Sequence, residues 1–169
     1  GTCIGGLGAY GAVLCLIHHS LIKSSLFLSS GNLLLGYGSR LIEGTGRMAK
    51  LMPRTFVAFF GGFAAISGFP PFGIFIGELF IIIGAFKAGS YVAIGLFLLS
   101  LCVIFAGFAG HVMKISYGDG DATIQMEEKP AMVWPQYALL LTSLLLCFWM
   151  PDTFYQTIMH AVNSIGGGF

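Results

Sequence analysis

Residues 55–86 form an apolar stretch whose one charged side chain is Glu78. As a single straight α-helix, at 1.5 Å per residue, it would extend about 48 Å, well beyond a bilayer hydrocarbon core about 30 Å thick. It must therefore bend or break. Gly68-Phe69-Pro70-Pro71-Phe72-Gly73 supplies the break, because consecutive prolines lack two backbone donors and push the preceding residue out of the α region. The sequence predicts two short membrane segments here, residues 55–68 and 72–86, separated at Pro70 and Pro71.

Three further apolar runs accompany this one. Residues 5–35 carry His18, His19 and Lys23 as their ionisable side chains other than Cys and Tyr, and residues 91–112 and 134–150 are long enough to span. With 56% hydrophobic and 9% charged residues and a mean hydropathy of +0.88, the chain lacks the charge of a soluble domain. Its solvent is lipid. The expected fold is all-α, a polytopic transmembrane bundle of about five membrane segments over residues 1–150 with one Pro-Pro interruption. Trp134, Tyr137 and Trp149 flank the last segment, where amphipathic rings favour the interface. In the tail, residues 151–169, Phe154, Ile158, Ala161, Val162 and Ile165 recur at helical spacing and predict a short amphipathic surface helix closed by Gly166-Gly167-Gly168.

The connections carry most of the charge. Residues 37–54 hold Arg40, Glu43, Arg47, Lys50 and Arg54, and residues 114–130 hold Asp119, Asp121, Glu127 and Glu128. Counting five crossings places Arg40, Arg47, Lys50, Arg54 and Lys87 on one side, expected to be cytoplasmic, and Lys114 and Lys129 on the other. A single broken crossing over residues 55–86 would reverse every later loop. The N-terminus has no initiator Met, basic segment or cleavage site of a signal peptide, and it reads as a cut into a longer chain.

Of eight Lys and Arg and seven Asp and Glu residues, only Lys23 and Glu78 lie well inside apolar runs. A charge at bilayer centre costs on the order of 2.5 to 3.5 kcal/mol, so such residues usually face a wet or paired interior. Lys23 sits about 18 Å before the end of its run, too far to snorkel easily to a headgroup. His19, four residues earlier, shares its helix face with Cys15 and Ala12. A lysine one turn from a titratable histidine has the elements of a proton relay. His18 points elsewhere and is either a packing histidine or a further relay group. Glu78 lies about 10 Å past Pro71 along a helix, close to backbone polar groups that the break frees. Its alternative role is as a structural partner to another helix. Gly73 and Gly77 form a GxxxG ahead of it.

Other chemistry is not indicated. No phosphate-binding glycine loop, HExxH or GxSxG is present, and Cys3, Cys15, Cys102 and Cys147 are too scattered for a zinc or iron-sulfur site. His111 and His160 read as interfacial. A net charge of +1 without a basic aromatic patch gives no reason to expect nucleic acid.

These residues together resemble a known family. His19-Ser-Leu-Ile-Lys23-Ser-Ser-Leu-Phe-Leu-Ser-Ser-Gly31-Asn32, then Met52-Pro53 opening a span, then Gly68-Phe-Pro-Pro-Phe-Gly-Ile-Phe-Ile-Gly-Glu78, are similar to the antiporter-like membrane subunits shared by respiratory complex I, Mrp-type antiporters and membrane-bound group 4 [NiFe] hydrogenases. Gly110-His111-Val-Met and Trp149-Met-Pro-Asp-Thr-Phe-Tyr look closest to the hydrogenase-4 or formate hydrogenlyase branch. The resemblance implies that Lys23 is the central-axis lysine, His19 the histidine one turn before it, and Glu78 the charged residue of an interrupted late helix. Where many members have another histidine, this chain has Cys15. Members have about fourteen spans, so the resemblance covers only their last five and implies a missing N-terminal half or its equivalent in another chain.

The first functional expectation is thus a proton-translocating subunit of a multisubunit redox-driven pump in the prokaryotic inner membrane, a non-redox component of an oxidoreductase. It would sit in lipid among other membrane subunits. It would bind no cofactor itself, with [NiFe] and iron-sulfur centres or flavin in partner subunits. The alternatives are a stand-alone or Mrp-type cation/proton antiporter subunit, and a structural membrane spacer whose charges merely pair.

Overall fold

The computed structural model describes residues 5–42, 45–119, 124 and 126–165. Cys3, Glu43, Asp121 and the glycine run at 166–168 lie outside the described residues. Among the described residues seven helices follow in order: α1 (Gly6–Tyr37), α2 (Met48–Leu51), α3 (Pro53–Ile66), α4 (Gly73–Lys87), α5 (Tyr91–Tyr117), α6 (Pro130–Phe148) and α7 (Asp152–Ser164). Among the described residues there is no strand. By length and composition α1, α5 and α6 can each cross a membrane, and α3 is a shorter apolar helix. The protein is an integral membrane helix bundle.

Helix α1 is the axis on which the rest is laid. Its 32 residues extend about 48 Å, enough to back two shorter helices end to end. Gly36 lies against Met52, Leu26 against Gly62, the His18 ring against Gly73, and Gly11 against the backbone of Gly77. Asn32 Nδ2 donates to Thr55 Oγ1 over 3.3 Å. Positions descend along α1 as they ascend through α3 and α4, so the two helices follow one antiparallel path. With 14 and 15 residues, each is only about 21 to 22 Å long and neither spans alone. They are the two halves of one broken crossing.

Helix α6 follows the same direction on another face of α1. Asn32 Nδ2 donates to the Met132 carbonyl (3.1 Å), Ser25 Oγ to the Gln136 carbonyl (3.1 Å), and His18 Nδ1 lies 2.8 Å from Ser143 Oγ. Polar side chains join helices this way in lipid, where burial of apolar surface contributes little between them. Between these contacts Ile22, Leu26, Leu33, Phe59, Phe63 and Leu140 are buried together.

The broken crossing corrects the expected sides of the loops. The Glu128 carboxylate accepts the backbone N–H of Arg54 (3.0 Å) and that of Thr55 at the start of α3, while Tyr137 Oη donates to the Arg54 carbonyl (2.9 Å). An acidic group here satisfies donors that have no partner within the helix and meets the positive end of its dipole. The connection before α3 and the one before α6 therefore share an end, instead of lying on opposite sides. Arg40, Arg47, Lys50, Arg54, Lys114 and Lys129 gather there, and Lys87 lies at the other end.

Helix α5 packs more lightly. Phe105 and Phe108 meet Phe63 with ring centroids 5.8 and 5.2 Å apart, whereas Val92, Leu96, Leu99, Val103 and Ile104 face outward, a surface that lipid solvates without penalty. Helix α7 buries Ile158 and Val162 against Ala9, Tyr10, Val13 and Ile17 of α1. Its docked face is narrower than expected from spacing, because Ala161 and Ile165 are exposed.

Candidate functional site

The helix break positions the acidic residue. Helix α3 ends at Ile66 and α4 starts at Gly73, with Pro70 and Pro71 between them, joined by a cis peptide bond. Side chains on a helix lean toward its N-terminus, so Glu78, on the second turn of α4, reaches back along the helix to the break. Its Oε2 occupies the space a Cβ on Gly68 would need. Gly68 itself has φ +72°, a conformation that glycine adopts without strain.

Lys23, His19 and Glu78 line one cavity of about 550 Å³ between α1, α4 and α5. Cys15 lines it as well, one turn before His19, with its thiol 3.6 Å from the Ile74 carbonyl. Ser67 contributes from the break and Phe105 from α5. Glu78 is half-buried, and His19 and Lys23 are exposed on this chain. Among the described residues no ion pair joins Lys23 to Glu78. The volume admits several waters, since each takes about 30 Å³ of liquid and the walls carry polar groups. A lysine, a histidine and a carboxylic acid around such a space can bind, hold and pass on a proton, or bind a small cation.

The remaining residues singled out by sequence separate from this group. His18 is fully buried on another side of α1, bonded to Ser143, and does not line the cavity. His111 and His160 are exposed. Cys15, Cys102 and Cys147 are free thiols, and among the described residues no three or more His, Cys, Asp or Glu side chains come together as a metal-ligand cluster. Gly73 and Gly77 serve the α1–α4 seam: Gly73 admits the His18 ring, and Gly77 admits the backbone of Gly11 and the thiol of Cys15. Sequence reasoning placed Gly68 in the break without its contact to Glu78, and it missed Ser67 and the α5 wall. The one signal for them was the glycine two residues ahead of the prolines, because wall residues on α5 are recruited by long-range packing.

Residues 1–104 match the family described as NADH:quinone oxidoreductase/Mrp antiporter, TM. The chain belongs to this family. The antiporter-family chain is 39% identical over 90 residues to formate hydrogenlyase subunit 3 of Escherichia coli (strain K12), covering 52% of this chain and 15% of that protein. It is 30% identical over 138 residues to the putative antiporter subunit mnhD2 of Staphylococcus aureus (strain MRSA252), covering 82% of this chain and 27% of the other. A chain of the Mrp complex from Dietzia sp. DQ12-45-1b superposes with a TM-score of 0.79 at 20% identity, over 96% of this chain and 38% of that one, a likeness of fold. The sequence thus spans under a third of the length of these two relatives.

Proposed function

We propose that this antiporter-family chain forms the proton-translocating part of a membrane subunit in a multisubunit redox-driven ion pump, of the membrane-bound hydrogenase or complex I-like kind. The observation that carries this reading is the convergence of Lys23, His19 and Glu78 on one cavity walled by apolar helices of a membrane bundle. Charges are expensive there and are retained where they move ions. Lys23 takes and releases the proton, His19 one turn away exchanges it with cavity water, and Glu78 at the break is the acidic station. Because Lys23 and His19 are exposed on this chain, the open side of the cavity is closed by further membrane segments of the assembly. Redox centres, whether [NiFe], iron-sulfur or flavin, belong to partner subunits. The end carrying six of the eight Lys and Arg residues faces the cytoplasm of a prokaryote, in keeping with the bias of basic residues toward that side.

An Mrp-type cation/proton antiporter subunit without redox partners is the second reading, favoured by the fold likeness over 96% of the chain. Co-purification with iron-sulfur and nickel-containing or flavin-containing subunits separates the two. In the reconstituted assembly, Lys23→Ala abolishes proton transport while the complex still assembles. Lys23→Arg fails as well, since a guanidinium keeps its proton at physiological pH. Full transport by Lys23→Arg would remove Lys23 as a relay group and the proposal with it.

A further inference from the structure

Three contacts fix where α4 lies along α1. Gly11 meets the backbone of Gly77, the Cys15 thiol lies 3.6 Å from the Ile74 carbonyl, and the His18 ring fills the space a Cβ on Gly73 would need. At spacings of four and three residues, the three α1 positions share one helix face. His18 differs from the other two in being held from a third helix. It is 0% exposed, and its Nδ1 lies 2.8 Å from Ser143 Oγ on α6. Its Nε2, on the edge of the ring toward Gly73, is buried with no hydrogen-bond partner among the described residues. The ring therefore bears on α4 by its shape, while Ser143 keeps it from turning away. An apolar ring of the same size would lack that tie.

Gly73 is the first residue of α4, and Glu78 follows about 7.5 Å further along the helix. A hydrogen-bonded helix moves as one body, so the point where α4 begins sets the point its carboxylate reaches. Gly68, which that carboxylate touches, belongs to the other half of the crossing, and that half is seated on α1 separately, at Leu26 and Gly62. We infer that His18 is a positioning residue for Glu78: tied to Ser143 of α6, its imidazole is the stop against which α4 begins, and it thereby holds the carboxylate at the break. His18 touches neither Glu78 nor the Lys23 cavity and acts through Gly73. The functional consequence rests on the proton-transport reading above, whereas the placement of Glu78 does not.

The test uses the native complex reconstituted in vesicles and reads two quantities, proton transport and the infrared band of the Glu78 side chain, identified as the band that Glu78→Gln removes. Gly73→Ala drives a methyl against the ring, and His18→Ala empties the space the ring held. Each displaces α4, moves the Glu78 band and lowers transport on the order of 100-fold, the loss expected when a reacting group is misplaced by about 1 Å. In the double variant the methyl takes up part of the space the ring leaves. Band and transport then return toward their native values, a non-additivity expected of two residues in contact. Ser143→Ala keeps the ring but frees it to turn, and it moves both quantities less and in the same direction, which keeps the test open if His18→Ala does not assemble. A packing role alone lowers the yield of complex and leaves the Glu78 band in place, and that result overturns the inference. Additive losses in the double variant overturn it as well. If the band moves as expected while Glu78→Gln and Lys23→Ala transport normally, the positioning stands and the proposed function falls.

Discussion

The carboxylate of Glu78 lies against Gly68, ten residues earlier in the chain and across the break between α3 and α4. One contact thus ties the acidic group of the cavity to the end of one half-helix and the start of the next. Gly68→Ala should do two things at once. A side chain at φ +72° costs about 1 to 2 kcal/mol, and the new methyl must push the carboxylate off the break. The expected outcome is a lower Tm of the purified protein together with reduced transport. A destabilised variant with undiminished transport would mean that the position of Glu78 against Gly68 is irrelevant to function.

Glu78→Gln separates chemistry from packing. The amide keeps the length and much of the hydrogen bonding of the carboxyl but has no proton to release, so assembly should survive and transport should drop by two orders of magnitude or about that. Glu78→Asp keeps the chemistry one methylene further back and should retain partial activity. Proton flux in proteoliposomes, compared with complex yield, reads both. Normal flux in the Gln variant would assign Glu78 a structural role.

The single broken crossing makes a topological prediction. Arg40→Cys and Lys129→Cys, placed singly in a cysteine-free background, should react with an impermeant thiol reagent from the same side of the membrane, and Ser90→Cys from the opposite side. Two separate crossings by α3 and α4 would put position 129 opposite position 40, and would place position 90 with position 40.

Glu128 holds the two connections of the basic end together by accepting the backbone N–H groups of Arg54 and Thr55. Glu128→Ala leaves those donors to water and removes a favourable charge at the helix start, for a loss of about 1 to 2 kcal/mol. Thermal unfolding of the detergent-solubilised protein measures it, with Glu127→Ala, an exposed neighbour, as the comparison. Equal effects from the two would deny Glu128 its capping role.

Much of this protein is determined by its sequence alone. The membrane as solvent, the helical class, the break at Pro70 and Pro71, and the pairing of His19 with Lys23 on one helix face all follow from local causes: apolar run length, missing proline donors, and the four-residue repeat of a helix. The cost of charge in lipid singled out Lys23 and Glu78 in the same way. Tertiary structure decided everything that depends on which helix lies beside which. Residues 55–86 could be one crossing or two, and only the alignment of Gly36, Leu26, His18 and Gly11 with successive positions from Met52 to Gly77 chose one, moving Lys114 and Lys129 to the basic end. The Ser143 partner of His18, the fold-back of Glu78 onto Gly68 and the α5 wall of the cavity are likewise contacts between residues distant in sequence. Helical periodicity says which side chains share a face, but it carries no information about what that face meets, because that is settled by the close packing of several helices at once.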